Sequence, residues 1–363
     1  MHSSTSNFER VIPDKPWRGV TVTVVVAVFV AVTAWEVYCR SFGYAPTLNN
    51  TTDLWAEARC RVQPESIVVV GDSRAWFDVD LDEIERGLGK RPVQLAQPGA
   101  CPFPVLEDLA QDASFHGTII CSILPRIYFA PPGSPPFERA EKAVQRFYGQ
   151  TWAQRVSHEL SVPLELSFAF LKQDDLTLEA LLQDLPIPDR PYALVPPRLP
   201  PYFCSIDRER RARMVEQCAR PGRLQERVRR RWARLFTPPP PPSYVPIEAF
   251  TSRMTEAVAA RYRDTKTAVN KLRARGGKIV FVRFPVSGPL KELEDKNTPR
   301  AQTWDPLLQQ TAVPGIYFED FPELASFECP EWSHLSAGDS VEFTKRLVPH
   351  LRSALQLNAV AAR

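Results

Sequence analysis

The most restrictive feature of this chain is a strand-length run with almost no polar face. Ser66 to Val70 reads SIVVV and leads directly into Gly71-Asp72-Ser73. A strand that is apolar residue after residue must be covered on both sides, and a parallel sheet between helices provides that cover. Thr118 to Leu124 (TIICSIL) and Lys278 to Phe284 (KIVFVRF) have the same character. Val93 to Ala96 and Gly315 to Phe318 are shorter candidates. Between these runs the pattern turns helical, over Asp80 to Leu88, Val105 to Ser114, Thr251 to Arg275 and Ala337 to Leu357. Gly276-Gly277 supplies a stop for the third of these helices. This alternation predicts an α/β fold with a five-stranded parallel sheet and right-handed crossovers.

Three stretches interrupt the pattern. Residues 130–244 are rich in proline and arginine, with five consecutive prolines at Pro238 to Pro242 that imply polyproline II. They are expected to form an insertion or cap. Residues 39–64 are polar, with few periodic apolar positions, and are expected to be a stalk. Gly19 to Trp35 carries no charge and is near the lower length limit for crossing a bilayer. Lys15 and Arg18 precede it, whereas Glu36 and Arg40 balance behind it. The expected topology is a cytoplasmic tail at 1–18, a transmembrane anchor at 19–38 and everything beyond on the other side. Two other readings stand beside the anchor: a cleaved signal ending near Val32-Thr33-Ala34, or a buried strand pair.

Charge and cysteine usage narrow the function classes. With 45 basic and 42 acidic residues the net charge is +3, which gives no whole-chain signal for nucleic acid. The arginine-dense stretches Arg208 to Arg213 and Arg220 to Arg234 fit either a solvated helix face or a contact with anionic lipid or acidic polymer. The seven cysteines form no CxxC pair and no zinc-spaced Cys/His cluster, and no glycine-rich phosphate loop occurs. No metal, nucleotide or other cofactor is therefore expected. Cys101 and Cys329 are either plain buried thiols or a disulfide tying two loops.

Two short motifs carry chemistry. Ser73 follows a buried strand, at the strand end where open parallel sheets hold their ligands. Its hydroxyl would sit on rigid backbone, and its own N–H could face a developing oxyanion. The plainer reading is a serine that caps a helix. A serine nucleophile needs a base, and the base needs a carboxylate to orient it. Glu331-Trp332-Ser333-His334 offers both within one turn. Among the five histidines, only His334 falls on a loop after a predicted strand; Glu328 is a second candidate for the acid. Gly71-Asp72-Ser73-Arg74-Ala75 narrowly misses the Gly-x-Ser-x-Gly elbow, whose fold places the serine after several strands.

Gly71-Asp72-Ser73 after the first strand, with Glu331-x-x-His334 near the C-terminus, resembles blocks I and V of the SGNH/GDSL hydrolases. Leu95-Ala96-Gln97-Pro98-Gly99-Ala100 resembles block II. The likeness covers about residues 65–129 and 251–357. It implies a three-layer SGNH-like catalytic domain made of 65–129 and 245–363. In that domain Ser73 is the nucleophile, His334 its base and Glu331 the orienting acid, with the N–H groups of Ser73 and Gly99 holding the oxyanion. Block III, Gly-x-Asn-Asp, is absent, and the matching loop reads Leu124-Pro125-Arg126-Ile127-Tyr128. Either Arg126 replaces the missing asparagine or a donor is lost, a loss worth about 100- to 1000-fold in rate. For a membrane-anchored member the resemblance implies the bacterial inner membrane, with the domain in the periplasm. The implied activity is ester hydrolysis or O-acyl transfer, often of acetyl, on an exported polysaccharide. The expected partners are a carbohydrate polymer, an acyl donor, the membrane and envelope-assembly proteins, and not nucleic acid. The alternative is a non-catalytic scaffold that keeps the fold and binds glycan.

Overall fold

In a computed structural model, which describes residues 16–172, 176, 182, 202–236 and 247–356, five parallel strands run through the centre of the molecule. They are β1 (Ile67–Val70), β2 (Val93–Gln94), β3 (Thr118–Ser122), β6 (Lys278–Arg283) and β7 (Gly315–Tyr317). A separate two-stranded hairpin is formed by β4 (Cys204–Ile206) and β5 (Ala212–Met214). The proline run 238–242 lies outside the described residues.

The sheet order is β2-β1-β3-β6-β7, and every neighbouring pair is parallel. Val68 is opposite both Val93 and Ile119, and Phe281 is opposite Cys121 and Gly315. All of β1 is buried, as are β3 and β6 beyond their first residues. This is why these strands read as unbroken apolar runs. The order reverses at β1, so the chain leaves β1 and β3 in opposite directions. Such a reversal opens a crevice at the carboxyl ends of those two strands.

Helices cover the sheet. Ala337–Ala354 packs on Leu81–Leu88 and Ser73–Asp78, and Ile247–Ala274 packs on Phe103–Gln111. The closing helix continues through Pro349. The strand ends move inward by one or two residues, β2 keeping two of the four expected, whereas two helices begin earlier than expected, at Phe103 and Ile247.

Part of the expected stalk at 39–64 is instead core. Thr51 caps a helix over Thr52–Cys60 by accepting the Leu54 amide. Leu54, Trp55 and Ala58 are wholly buried, the Trp55 indole donates to Leu95 O, and Arg59 pairs with Asp108. A single nine-residue helix has too few turns to display a clear apolar period, so its polar flanks dominated the sequence reading.

The inserted region is woven into the core. Its Pro135–Gly149 helix packs on Thr52–Cys60 and buries Phe137, Ala140 and Ala143. Arg210 turns the β4–β5 hairpin with φ 62° and sends a buried guanidinium to Gln94 O and Ala96 O, at the end of β2. The described part ends on a helix at Arg223–Phe236. At the other terminus, Trp17–Ser41 is the one described helix long and apolar enough to cross a membrane.

Candidate active site

The Gly71-Asp72-Ser73 turn follows from packing at the end of β1. A Cβ on Gly71 would lie 2.6 Å from Ser122 Cβ and 2.7 Å from Ala75 Cβ, so glycine alone lets the turn sit against β3. Asp72, not Ser73, caps the next helix: its carboxylate accepts from Arg74 N at 2.8 Å and from Ser122 Oγ at 2.9 Å. Ser73 is thereby the first residue of the Ser73–Asp78 helix, half-buried at the crevice. A first-turn amide has no acceptor within its own helix.

A buried ion cluster fixes that helix from behind. Arg74 grips Glu294 with two hydrogen bonds of 2.5 and 3.1 Å, and Arg283, at the end of β6, bonds the same carboxylate. Burial opposes the Glu294 charge, but the two guanidiniums outweigh it and hold the carboxyl down at about 2.

Glu331 and His334 meet as their spacing suggests. His334 Nδ1 lies 2.8 Å from Glu331 Oε1, which also accepts the His334 amide at 2.6 Å. The second carboxylate oxygen accepts the indole N–H of Trp232. With donors on both oxygens, Glu331 acts purely as an acceptor and holds the Nδ1–H tautomer, leaving a lone pair on Nε2. Trp332, between the two, takes the left-handed backbone region at φ 80°. In a non-glycine residue this stores on the order of 1–3 kcal/mol of strain, which accumulates at functional sites. Gly288 makes room for its ring, since a Cβ there would meet Trp332 Cδ1 at 2.9 Å. Glu328 is exposed and Glu331 is wholly buried, so the geometry pairs Glu331 with the histidine.

The helix that begins at Ser73 and the histidine loop are in direct contact. Phe77, one turn after Ser73, stacks on the His334 ring at 4.4 Å, and Asp78 Oδ1 accepts the Leu335 amide at 2.9 Å. No hydrogen bond joins Ser73 to His334: Nε2 is buried and has no partner among the described residues. Burial pushes the Asp78 carboxyl, beside this pair, well above its ordinary value.

The remaining proposed site residues follow the neighbouring parallel strands β2 and β3. Gln97 N donates to Gly71 O at 2.9 Å, which brings the Leu95–Ala100 loop alongside the serine turn. Gly99 is two residues further on, at φ 62°, with its carbonyl held by Arg139 at 2.7 Å. Gln97 itself is buried with Oε1 unpaired. Arg126 is the second residue of the short Pro125–Tyr128 helix after β3 and is exposed. His158 pairs with Glu57 and His350 with Glu323, away from this cluster. Cys101 and Cys329 form no disulfide with each other.

Sequence reasoning missed the cover over the histidine. Phe203 and Trp232 flank the imidazole at 6.0 and 5.7 Å, and His334 is 0% exposed. Arg229 donates to Pro330 O and stands over the Trp332 ring at 5.5 Å. The arginine-dense helix thus clamps the Glu331–His334 loop. The signal was present: Gln225, Val228 and Trp232 are buried at spacings of three and four, one helical face within a run of charges. No family model matches this chain, and no curated protein matches it.

Proposed function

We propose that this protein is a membrane-anchored serine hydrolase or O-acyltransferase with a three-layer SGNH-like domain. The observation that carries this reading is the Glu331–His334 pair, whose Nε2 lone pair is left unpaired beside the helix that begins at Ser73. Ser73 attacks an ester carbonyl as His334 Nε2 takes its proton. The developing imidazolium is stabilised by Glu331, and the N–H groups of Ser73 and Gly99 face the oxyanion, with Arg126 as a third donor. His334 then returns the proton to the leaving alcohol. Water or a sugar hydroxyl completes the cycle, giving hydrolysis or transfer. The substrate class is an acylated, often acetylated, cell-envelope or exported polysaccharide, with the domain on the periplasmic side of a bacterial inner membrane.

A second reading, a non-catalytic scaffold that binds glycan, is favoured by one observation: the histidine is sealed by Phe77, Phe203 and Trp232. The two readings separate on Ser73→Ala. Loss of acyl turnover on polymer and on small esters, with the fold intact, supports the enzyme. Wild-type protein that turns over no ester yet binds polymer as well as Ser73→Ala supports the scaffold.

A further inference from the structure

Beside the membrane helix, the domain carries an apolar surface that has no role in the site. Leu160, Leu164, Leu166 and Phe168 are 65, 51, 44 and 36% exposed, at the end of the Trp152–Glu165 helix and just after it. The following turn is clasped to the Trp17–Ser41 helix. Glu36 accepts the amides of Ala169 and Phe170 at 3.0 and 3.1 Å, and Arg40 donates to Ser167 O at 3.2 Å. These bonds set the height of the patch along the helix.

That height can be read from the helix itself. Trp17 stands at one end, and Trp35 and Tyr38 stack at the other, with ring centroids 5.4 Å apart. Eighteen positions separate Trp17 from Trp35, or about 27 Å at about 1.5 Å per residue. That is close to the roughly 30 Å of a hydrocarbon core. Tryptophan and tyrosine collect at the two faces of that core, so Trp35 and Tyr38 mark one membrane face. Glu36 lies between them, and the residues it clasps are at the same level.

We infer that the surface formed by Leu160, Leu164, Leu166 and Phe168 is seated in the lipid interface. The domain then rests on the bilayer rather than standing away from it on a tether. The occupant is phospholipid, because the patch continues the aromatic belt of the membrane helix and the clasp leaves no spacer between them. This rests on the anchor reading in the proposed function, and not on the catalytic one.

Full-length protein in nanodiscs of phosphatidylcholine and phosphatidylglycerol, carrying benzoyl-phenylalanine at one position at a time, tests the inference. After irradiation, phospholipid adducts are expected at Leu164 and Phe168 at a level comparable to Phe29 inside the membrane helix, and not at Glu65, an exposed position outside the patch. Adducts at Phe29 but none at Leu164 or Phe168 would overturn the seated surface while keeping the anchor. Adducts to another protein at Leu164 and Phe168 would replace lipid by a protein partner. Absence of lipid adducts at Phe29 as well would remove the anchor and, with it, this inference.

Discussion

Two regions meet at His334 and contribute differently. The α/β core supplies Ser73, Glu331 and His334 from two short motifs at opposite ends of the chain. The inserted region supplies Phe203, Arg229 and Trp232, which cover the imidazole and hold its loop. The first group carries groups able to move protons. The second is aromatic and cationic, and governs access and orientation. In the proposed reaction, the first region would set the chemistry and the second the access of substrate to it.

The largest effect should come from the core. Glu331→Gln keeps the shape but disturbs the tautomer, and a comparable change in a well-studied protease costs about 10⁴-fold. Ester turnover should fall by about that factor, while Glu328→Gln stays within about twofold. Equal losses in the two variants would place the orienting acid elsewhere.

Next in size is the support under Ser73. Glu294→Gln leaves Arg74 and Arg283 facing each other without a counter-charge, and breaking a buried ion pair costs about 3–5 kcal/mol. Chemical denaturation should show a loss of that order at pH 7. The Glu294 carboxyl is ordinarily near 4.5 and lies at about 2 in the fold. Its contribution is therefore present above about pH 4.5 and lost as pH falls towards 2. A wild-type-minus-variant difference that did not shrink over that window would contradict the charged cluster.

The insertion should show a smaller and divided effect. Trp232→Phe keeps the ring but removes the indole donor to Glu331, and kcat should drop about tenfold, the equivalent of one lost hydrogen bond. Trp232→Ala should also uncover His334, so that bulky esters gain relative to small ones. If Trp232→Phe lost as much as Glu331→Gln, the division between the two regions would fail.

The smallest effect concerns the buried carboxyl of Asp78. Its folded pKa is raised from an ordinary value near 3.8, so burial destabilises the fold as pH rises above that value. Asp78→Asn keeps an acceptor for the Leu335 amide and should raise the melting temperature by a few degrees at pH 7. The gain should vanish below about pH 4.

The core was legible in the sequence because its signals are local. A strand buried on both faces reads as one apolar run, and Glu331 and His334 are three residues apart. The Thr52–Cys60 helix was not legible, since its burial depends on a partner helix some eighty residues later. Trp232 was hidden for a related reason. Its helix is so rich in arginine that a narrow buried stripe is outweighed, and its target, Glu331, is 99 positions away. The role of Asp72 as the helix cap, which frees Ser73 from that task, depends on an acceptor geometry that spacing does not reveal.

Covalent labelling tests the shared centre of both regions most directly. Full-length protein treated with a small fluorophosphonate should gain one adduct, mapped by peptide mass to Ser73. The rate should collapse in His334→Ala and rise in Trp232→Ala for a bulkier probe. A folded wild-type protein that gains no adduct, or gains it at a serine other than Ser73, would contradict the assignment of Ser73 and His334 as nucleophile and base.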